Sequence, residues 1–236
     1  MLFTCARITG FLLLIIASLP ADEQRFADSA TEQTITLLPL GDSITEGGGG
    51  GGGNYRHELD RLLKDAGHSF AFVGPKTDGK GLSHAGYSGW NSSKIRDQIV
   101  GVYKQYPADI VLLHMGHNHF SEHDPVPLII YNTNAILDTI FGINPTATIL
   151  VARVIPAGKL PKYSYIPKLN RQLAQLFKER QSNLTHRVFL VDQEAGFDWT
   201  TDTVADKVHP NEAGAIKMAA VWAAAIKKVS DTLKSR

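Results

Sequence analysis

Short apolar runs alternate with amphipathic stretches along most of this chain. The apolar runs have the length of buried strands and comprise residues 35–40, 70–73, 108–115, 147–155 and 186–192. Apolar residues at helical spacing occupy residues 54–66, 91–106, 126–141 and 162–181, and a last helix is predicted after residue 211. The pattern predicts an α/β fold: a doubly wound, mainly parallel five-stranded sheet with helices on both faces.

Glycine-rich segments interrupt the pattern in two places. Seven consecutive glycines, Gly47–Gly53, are not expected to form a regular element, because glycine loses the most backbone freedom on ordering. The Lys and Ser/Thr that would complete a phosphate-binding P-loop are missing behind this run, which argues against nucleotide binding. Residues 75–86 are also predicted to be a glycine-rich loop.

The N-terminus has the features of a secretory signal peptide. Met1–Ala21 contains Arg7 and then an uncharged apolar segment, Phe11–Leu19, which is short for a membrane span. An uncleaved anchor remains the alternative. The interpretation predicts an exported protein, secreted or periplasmic, whose residues 22–236 form a single domain without internal repeats.

Composition narrows the possible functions. The 236 residues are 43% hydrophobic and 20% charged, which is typical of a globular protein. A net charge of +1 favours neither nucleic acid nor an anionic membrane surface as a partner, and it leaves the oligomeric state open. The single cysteine, Cys5, lies in the predicted signal peptide, so the mature chain is expected to have no disulfide, thiol nucleophile or cysteine metal site.

Polar residues follow three of the predicted strands. Ser43 comes after the first strand, Asn118 after the third and His209 after the fifth. Because the carboxyl ends of parallel strands line one edge of a sheet, these residues can converge there. Asp206 precedes His209 by three residues, so its carboxylate can orient the imidazole that takes the proton of the Ser43 hydroxyl. A helix-capping turn is the structural alternative for the Asp206–His209 pair.

Acyl transfer also needs hydrogen-bond donors for the developing oxyanion. The candidates are the backbone N–H of Ser43, a glycine N–H from the Ser88-Gly89 turn and the side-chain amide of Asn118. Together these residues predict a serine hydrolase that needs neither a metal nor an organic cofactor.

Four short motifs resemble those of the SGNH (GDSL) hydrolase superfamily. They are Gly41-Asp42-Ser43, Gly86-x-Ser88-Gly89, Gly116-x-Asn118 and Asp206-x-x-His209, in that order. The resemblance implies a three-layer α/β sandwich, a Ser43–His209–Asp206 triad and an oxyanion hole formed by Ser43, Gly89 and Asn118. The surrounding segments Pro39–Gly47, Asn54–Arg56, Phe72–Gly74 and His84–Trp90 are similar to acetylxylan esterases of carbohydrate esterase family three, which implies deacetylation of a carbohydrate.

The third motif departs from the superfamily pattern, and the same region raises a rival hypothesis. The superfamily usually has an aspartate where this chain has His119, and that aspartate helps to hold the loop that carries the asparagine. His114, His117, His119 and His123 crowd ten residues, and imidazoles bind zinc or copper. Side chains at neighbouring strand positions point to opposite faces, however, so hydrogen-bonded structural histidines are favoured over a metal site.

Residues near these loops are candidates for substrate binding, and Asp42, Trp90, His117 and Arg153 are proposed for that role. For Arg153 the structural alternative is an ion pair within the protein. Three further aromatic residues could stack on a sugar ring or simply pack in the core: Tyr163, Tyr165 and Trp199. The expected substrate is a small-molecule or carbohydrate ester. Two other functions remain open: a lipid esterase or lysophospholipase of the same fold, and a non-catalytic glycan-binding module.

Overall fold

A computed structural model describes residues 34–67, 69–120, 123–180 and 186–234. The predicted signal peptide lies outside these residues. From Thr34 onward the chain forms one compact unit.

The strands and helices alternate as the hydrophobic pattern predicts. The strands are β1 (Ile35–Gly41), β2 (Phe70–Phe72), β3 (Lys76–Thr77), β4 (Ser83–Gly86), β5 (Ile110–His114), β6 (Thr148–Arg153) and β7 (Arg187–Asp192). The helices are α1 (Ser43–Glu46), α2 (Tyr55–Asp65), α3 (Ser92–Gln105), α4 (Val126–Ile143), α5 (Ile166–Arg180), α6 (Trp199–Asp202) and α7 (Glu212–Lys234).

The five predicted strands are all present and pair in parallel. β1 pairs with β5, β5 with β6 and β6 with β7, all in parallel, and β2 pairs with the first half of β1. Both faces of β1 and β5 are buried, because helices cover each side of the sheet. The predicted fold class, a mostly parallel doubly wound sheet, is confirmed.

The prediction of a loop at residues 75–86 is wrong. The segment contains β3 and β4, which pair antiparallel with each other, and β4 also runs parallel to the end of β1. β4 has the sequence Ser-His-Ala-Gly, which lacks an apolar run, and only its pairing with the edge of β1 makes it a strand. Within the described residues the sheet therefore has seven strands instead of five.

Two of the predicted connections also contain short helical turns. A 3-10 turn spans Gly49–Gly51 within the glycine run, where no regular element was expected. The connection after β7 contains α6, which begins at Asp198, whose side chain accepts a hydrogen bond from the N–H of Thr200.

Alternate residues of the central strands supply two hydrophobic layers. Val111 and Leu113 of β5 belong to the layer covered by α3, α4 and α5, whereas Ile110 and Leu112 belong to the layer covered by α2 and α7. α4 is long and apolar enough to cross a bilayer by length and composition. It packs against α3 and α5, and eight of its side chains are buried, as expected for the core helix of a globular protein.

Candidate active site

The first motif ends β1 and starts the short helix α1. Asp42 is the N-cap of this helix, and its Oδ1 accepts a hydrogen bond from the N–H of Ile44 at 3.0 Å. Ser43 is the first residue of α1 and is 8% exposed. The first N–H groups of a helix have no intrahelical partner, so the Ser43 N–H is not used by the helix itself.

The structure brings Ser43 together with His209 and Asp206. The Ser43 Oγ lies 2.8 Å from His209 Nε2, although 166 positions separate the two residues in the sequence. His209 Nδ1 lies 2.6 Å from Asp206 Oδ2. Because a carboxylate only accepts hydrogen bonds, Nδ1 carries the proton, and Nε2 is free to accept the hydrogen of the Ser43 hydroxyl.

The Asp206 carboxylate is held by two further bonds. Its Oδ1 accepts from the backbone N–H groups of Val208, at 2.8 Å, and His209, at 3.0 Å. Burial raises the pKa of Asp206, but the hydrogen bonds from the imidazole and the two backbone groups outweigh it and lower the pKa below its ordinary value of 3.8. Asp206 is therefore an anion at neutral pH and accepts all three hydrogen bonds.

Sheet register places the three predicted oxyanion donors around the end of β1. Gly41 pairs with Gly86 of β4 on one side and with His114 of β5 on the other. Gly89 follows β4, Asn118 follows β5 and Ser43 follows β1, so all three lie at the same edge of the sheet. Asn118 Nδ2 donates one hydrogen to the carbonyl oxygen of Trp90 at 2.9 Å, and an amide nitrogen has a second hydrogen to offer.

His119, which stands where the superfamily usually has an aspartate, links its loop to the start of α3. Its imidazole is fully buried, and Nε2 accepts a hydrogen bond from the backbone N–H of Ser92 at 2.9 Å. Ser92 begins α3, and its Oγ accepts a further bond from Asn132 at 2.8 Å. Together with the bond from Asn118 to Trp90, this contact fixes the Asn118 loop to the start of α3.

Two charged residues that the sequence does not single out support α1, the short helix that carries Ser43. Arg56 of α2 is fully buried and donates to the carbonyl oxygens of Thr45 and Glu46, the latter at 3.0 Å, and to Asp78 at 2.7 Å. Glu46 Oε2 accepts from the N–H of Ser88 at 2.8 Å, which ties the Gly89 turn to α1. Neither residue belongs to an apolar pattern, so hydrophobic periodicity carries no signal for them.

Three of the four predicted substrate-binding residues have partners inside the protein. Asp42 and His117 are 0% and 1% exposed, so the prediction that they touch a substrate is wrong. Arg153 pairs with Asp192 at 2.8 Å and with Glu194, which is the structural alternative considered for it. Trp90 is half-buried and stacks on Tyr87 with ring centroids 4.1 Å apart, which leaves it as a candidate contact beside Gly89.

The histidine cluster is divided between different environments. His119 bonds to α3 and His123 is exposed. His114 and His117, which alternation was expected to separate, meet beside Asp42 because the strand ends at His114. His117 Nε2 donates to the carbonyl oxygen of Ile155 at 3.0 Å, and its Nδ1 faces Asp42 Oδ2 at 3.8 Å.

Among the residues that the structure describes, Asp42, His114 and His117 form a group whose donor types suit a metal, and one ligand atom from each lies within 4.8 Å of the others. Burial lowers the pKa of His114 to about 4, which keeps its ring neutral near pH 7. Burial raises the pKa of Asp42, but the neighbouring His117 and the hydrogen bond from the N–H of Ile44 lower it by more. The pKa of Asp42 therefore lies below its ordinary value of 3.8. Asp42 is thus a buried carboxylate beside two imidazoles, and it directly precedes Ser43 in the chain.

Comparisons with known proteins agree with the fold and the motifs. A family model described as the GDSL-like lipase/acylhydrolase family matches residues 40–215. The structure is similar to a family 3 carbohydrate esterase from Clostridium thermocellum, with a TM-score of 0.72, 30% sequence identity and coverage of 85% of this chain and 99% of that one. It is also similar to a carbohydrate esterase family 3 protein from Talaromyces cellulolyticus, with a TM-score of 0.74, 25% identity and coverage of 83% and 98%.

A curated relative extends beyond the length of this chain. A multidomain esterase from Ruminococcus flavefaciens is 28% identical over 253 residues, which include 92% of this chain. The match spans 31% of the length of that esterase.

Proposed function

We propose that this chain, which belongs to the GDSL-like lipase/acylhydrolase family, is a carboxylic ester hydrolase: an exported serine esterase that removes acetyl groups from carbohydrate. The observation that carries the proposed mechanism is the hydrogen-bonded chain from Ser43 Oγ through His209 to Asp206, with distances of 2.8 and 2.6 Å. Export rests on the features of Met1–Ala21, and N-terminal sequencing of the mature protein tests it.

In the first half of the proposed reaction, the Ser43 oxygen attacks the ester carbonyl carbon as its proton passes to His209 Nε2. Asp206 stabilises the imidazolium that forms. The negative charge on the former carbonyl oxygen is met by the N–H groups of Ser43 and Gly89 and by the Asn118 amide. The tetrahedral intermediate then collapses, and His209 gives its proton to the oxygen of the departing alcohol, which leaves an acyl group on Ser43.

The second half repeats these steps with water. His209 removes a proton from the water as its oxygen attacks the acyl carbon, and the ring then returns the proton to Ser43 as the acid leaves. Every proton is carried by His209 Nε2, so the sequence of steps requires no cofactor.

The choice of an acetylated carbohydrate is supported by the family 3 carbohydrate esterases among the similar structures. Trp90 is the residue we propose for contact with a sugar ring, because it is half-buried and follows Gly89 directly. We assign the chain a small-molecule or carbohydrate ester as its partner, and neither nucleic acid nor a membrane surface.

Covalent labelling with a fluorophosphonate tests the nucleophile. The wild type is expected to gain one adduct on the peptide that contains Ser43, whereas Ser43→Ala and His209→Ala are expected to gain none and to lose about 10⁴–10⁶-fold in kcat. Ser83→Ala is a matched control, since Ser83 lies on β4 and its Oγ contacts Thr77 at 3.3 Å. Labelling of Ser43→Ala at the wild-type rate would contradict the mechanism.

Acyl-chain length then separates the alternatives on p-nitrophenyl esters. A deacetylase should prefer acetate and lose kcat/KM steadily from butyrate onward, whereas a lipid esterase or lysophospholipase should prefer long chains. A glycan-binding module without catalysis should bind oligosaccharide equally well as the wild type and as Ser43→Ala, and should hydrolyse none of the esters.

A further inference from the structure

The glycine loop, residues 47–53, is built against the segment that carries His209. The N–H of Gly53 donates to the carbonyl oxygen of Pro210 at 2.8 Å, and the N–H of Gly48 closes the loop on the carbonyl of Gly53 at 3.3 Å. These bonds join the chain just after the nucleophile helix to the chain just after the imidazole.

Gly49 lies directly against the imidazole of His209. A Cβ placed on Gly49 would lie 2.4 Å from His209 Cδ2 and 2.7 Å from Nε2. Carbon atoms in ordinary contact are about 3.5–4.0 Å apart, so any residue larger than glycine requires the ring or the loop to move. The edge of the ring that Gly49 touches includes Nε2, the atom that faces Ser43.

Gly50 lies close to Asp206, the residue that is hydrogen-bonded to the other nitrogen of the His209 ring. A Cβ on Gly50 would lie 3.1 Å from Asp206 Oδ2, the oxygen that bonds to His209 Nδ1. A side chain at residue 49 would therefore meet His209 and one at residue 50 would meet Asp206, so only glycines leave both members of the pair in place.

We propose that the glycine loop is a positioning element whose backbone at Gly49 holds the His209 ring at hydrogen-bonding distance from Ser43. The proposal rests on the proposed function, in which His209 is the base. Asp206 anchors the ring at Nδ1, and the loop blocks its displacement on the Cδ2–Nε2 edge. A displacement of about 1 Å can cost about 10²-fold in rate, because proton transfer depends on the alignment of donor and acceptor.

A matched pair of alanine substitutions tests the proposal. Gly49→Ala adds a methyl group against the ring, and Gly79→Ala adds one where a Cβ has no atom within 4 Å. On p-nitrophenyl acetate we expect Gly49→Ala to lower kcat by about 10²-fold and to leave KM within about twofold, with both constants unchanged in Gly79→Ala. Equal kcat values in the two variants would overturn the proposal.

A spectroscopic readout distinguishes displacement of the ring from a general loss of structure. The proton in the short bond between His209 Nδ1 and Asp206 should give a resolved downfield signal in the proton NMR spectrum of the wild type. This signal is expected to shift or broaden in Gly49→Ala and to persist in Gly79→Ala. An unchanged signal in Gly49→Ala would show that the ring has not moved and would also overturn the proposal.

A second pair covers the case in which Gly49→Ala does not fold. Gly50 and Gly51 both have positive φ angles, of 64° and 80°, so alanine strains the backbone at either position. A Cβ at residue 50 meets Asp206 Oδ2 and Val204 Cγ2, each at 3.1 Å, whereas a Cβ at residue 51 has no atom within 4 Å. Gly50→Ala should lower kcat more than Gly51→Ala at equal folded concentration, and equal effects would count against a positioning role.

The Ser43→Ala variant separates the two proposals. If Ser43→Ala hydrolyses the ester as fast as the wild type, the serine mechanism fails. If Ser43→Ala is inactive while Gly49→Ala matches Gly79→Ala, the mechanism stands and the role of the loop fails.

Discussion

Two aspartate–histidine arrangements adjoin Ser43, and they differ in geometry and in contact with solvent. In the Asp206–His209 pair the side chains are 32% and 22% exposed and the carboxylate lies 2.6 Å from the imidazole nitrogen. In the Asp42–His117 pair the side chains are 0% and 1% exposed and the corresponding distance is 3.8 Å. In the first pair, His209 is hydrogen-bonded to the Ser43 oxygen. In the second pair, Asp42 is the residue that precedes Ser43 in the chain.

In the proposed mechanism, these two environments suit the same residue types to different roles. A base that shuttles protons must gain and lose them during each cycle, and partial exposure beside a carboxylate allows this. The buried pair is enclosed by β1, β5 and the chain after β6, where burial disfavours charge on a ring such as His114. We therefore expect the first pair to control the rate and the second to control stability.

Asp206→Asn should have the largest effect. Asparagine can keep the backbone bonds to Val208 and His209, but it does not stabilise the imidazolium and it allows the wrong tautomer. We expect kcat to fall by about 10³–10⁴-fold with little change in the free energy of unfolding. Kinetics on p-nitrophenyl acetate and urea unfolding measure the two quantities.

The buried pair is tested through His114, which lies beside Asp42 and His117, with the substitution His114→Gln. It should destabilise the protein and leave kcat per folded molecule within about threefold of the wild type. The contrast between the two arrangements fails if Asp206→Asn loses less than about tenfold in kcat, or if His114→Gln loses as much.

Asn118→Ala should have the next largest effect, since it removes one donor to the oxyanion. The expected loss is about 10²–10³-fold in kcat, because each such donor stabilises charge that develops only in the transition state. Asn144→Ala is the control: Asn144 follows α4 and accepts a hydrogen bond from the N–H of Thr146 at 3.1 Å, and its substitution should cost about 1 kcal/mol of stability without an effect on kcat. An Asn118→Ala variant as active as the control would remove Asn118 from the site.

The smallest predicted effect is a dependence of stability on pH that comes from the buried His114 ring. Burial lowers the pKa of His114 to about 4, against 6.5 in the unfolded chain. Between these values the unfolded chain binds more protons than the native protein, so the free energy of unfolding falls as the pH is lowered. From pH 7 to pH 5 we expect His114 to contribute a loss of about 2 kcal/mol.

Urea unfolding of the wild type and His114→Gln at both pH values measures this contribution. His84, whose pKa is also lowered to about 4 because burial and the charges of Arg56 and Lys76 disfavour its protonation, should destabilise both proteins alike. The difference between them therefore isolates His114. Parallel pH dependences in the two proteins would show that His114 is not buried as a neutral ring.

Much of the fold could be predicted because the relevant signals are local. The strands β1, β5, β6 and β7 are apolar runs, and helices such as α2 begin at Asn54, whose side chain caps the helix as its residue type predicts. β3 and β4 could not be predicted in this way. They have two and four residues, and pairing with each other and with β1 determines their conformation.

The candidate site also has features that the sequence predicts and features that depend on the tertiary structure. The sequence by itself determined the order of the motifs, the presence of a serine at a strand end and a carboxylate three residues before an imidazole. Only the tertiary structure decided that Ser43 meets His209, that Asp42 and His117 are enclosed and that Arg56 is buried beneath α1. The physical reason is range: periodicity and capping act between residues a few positions apart, whereas burial and the contact of Gly49 with His209 depend on which distant segments the packed sheet brings together.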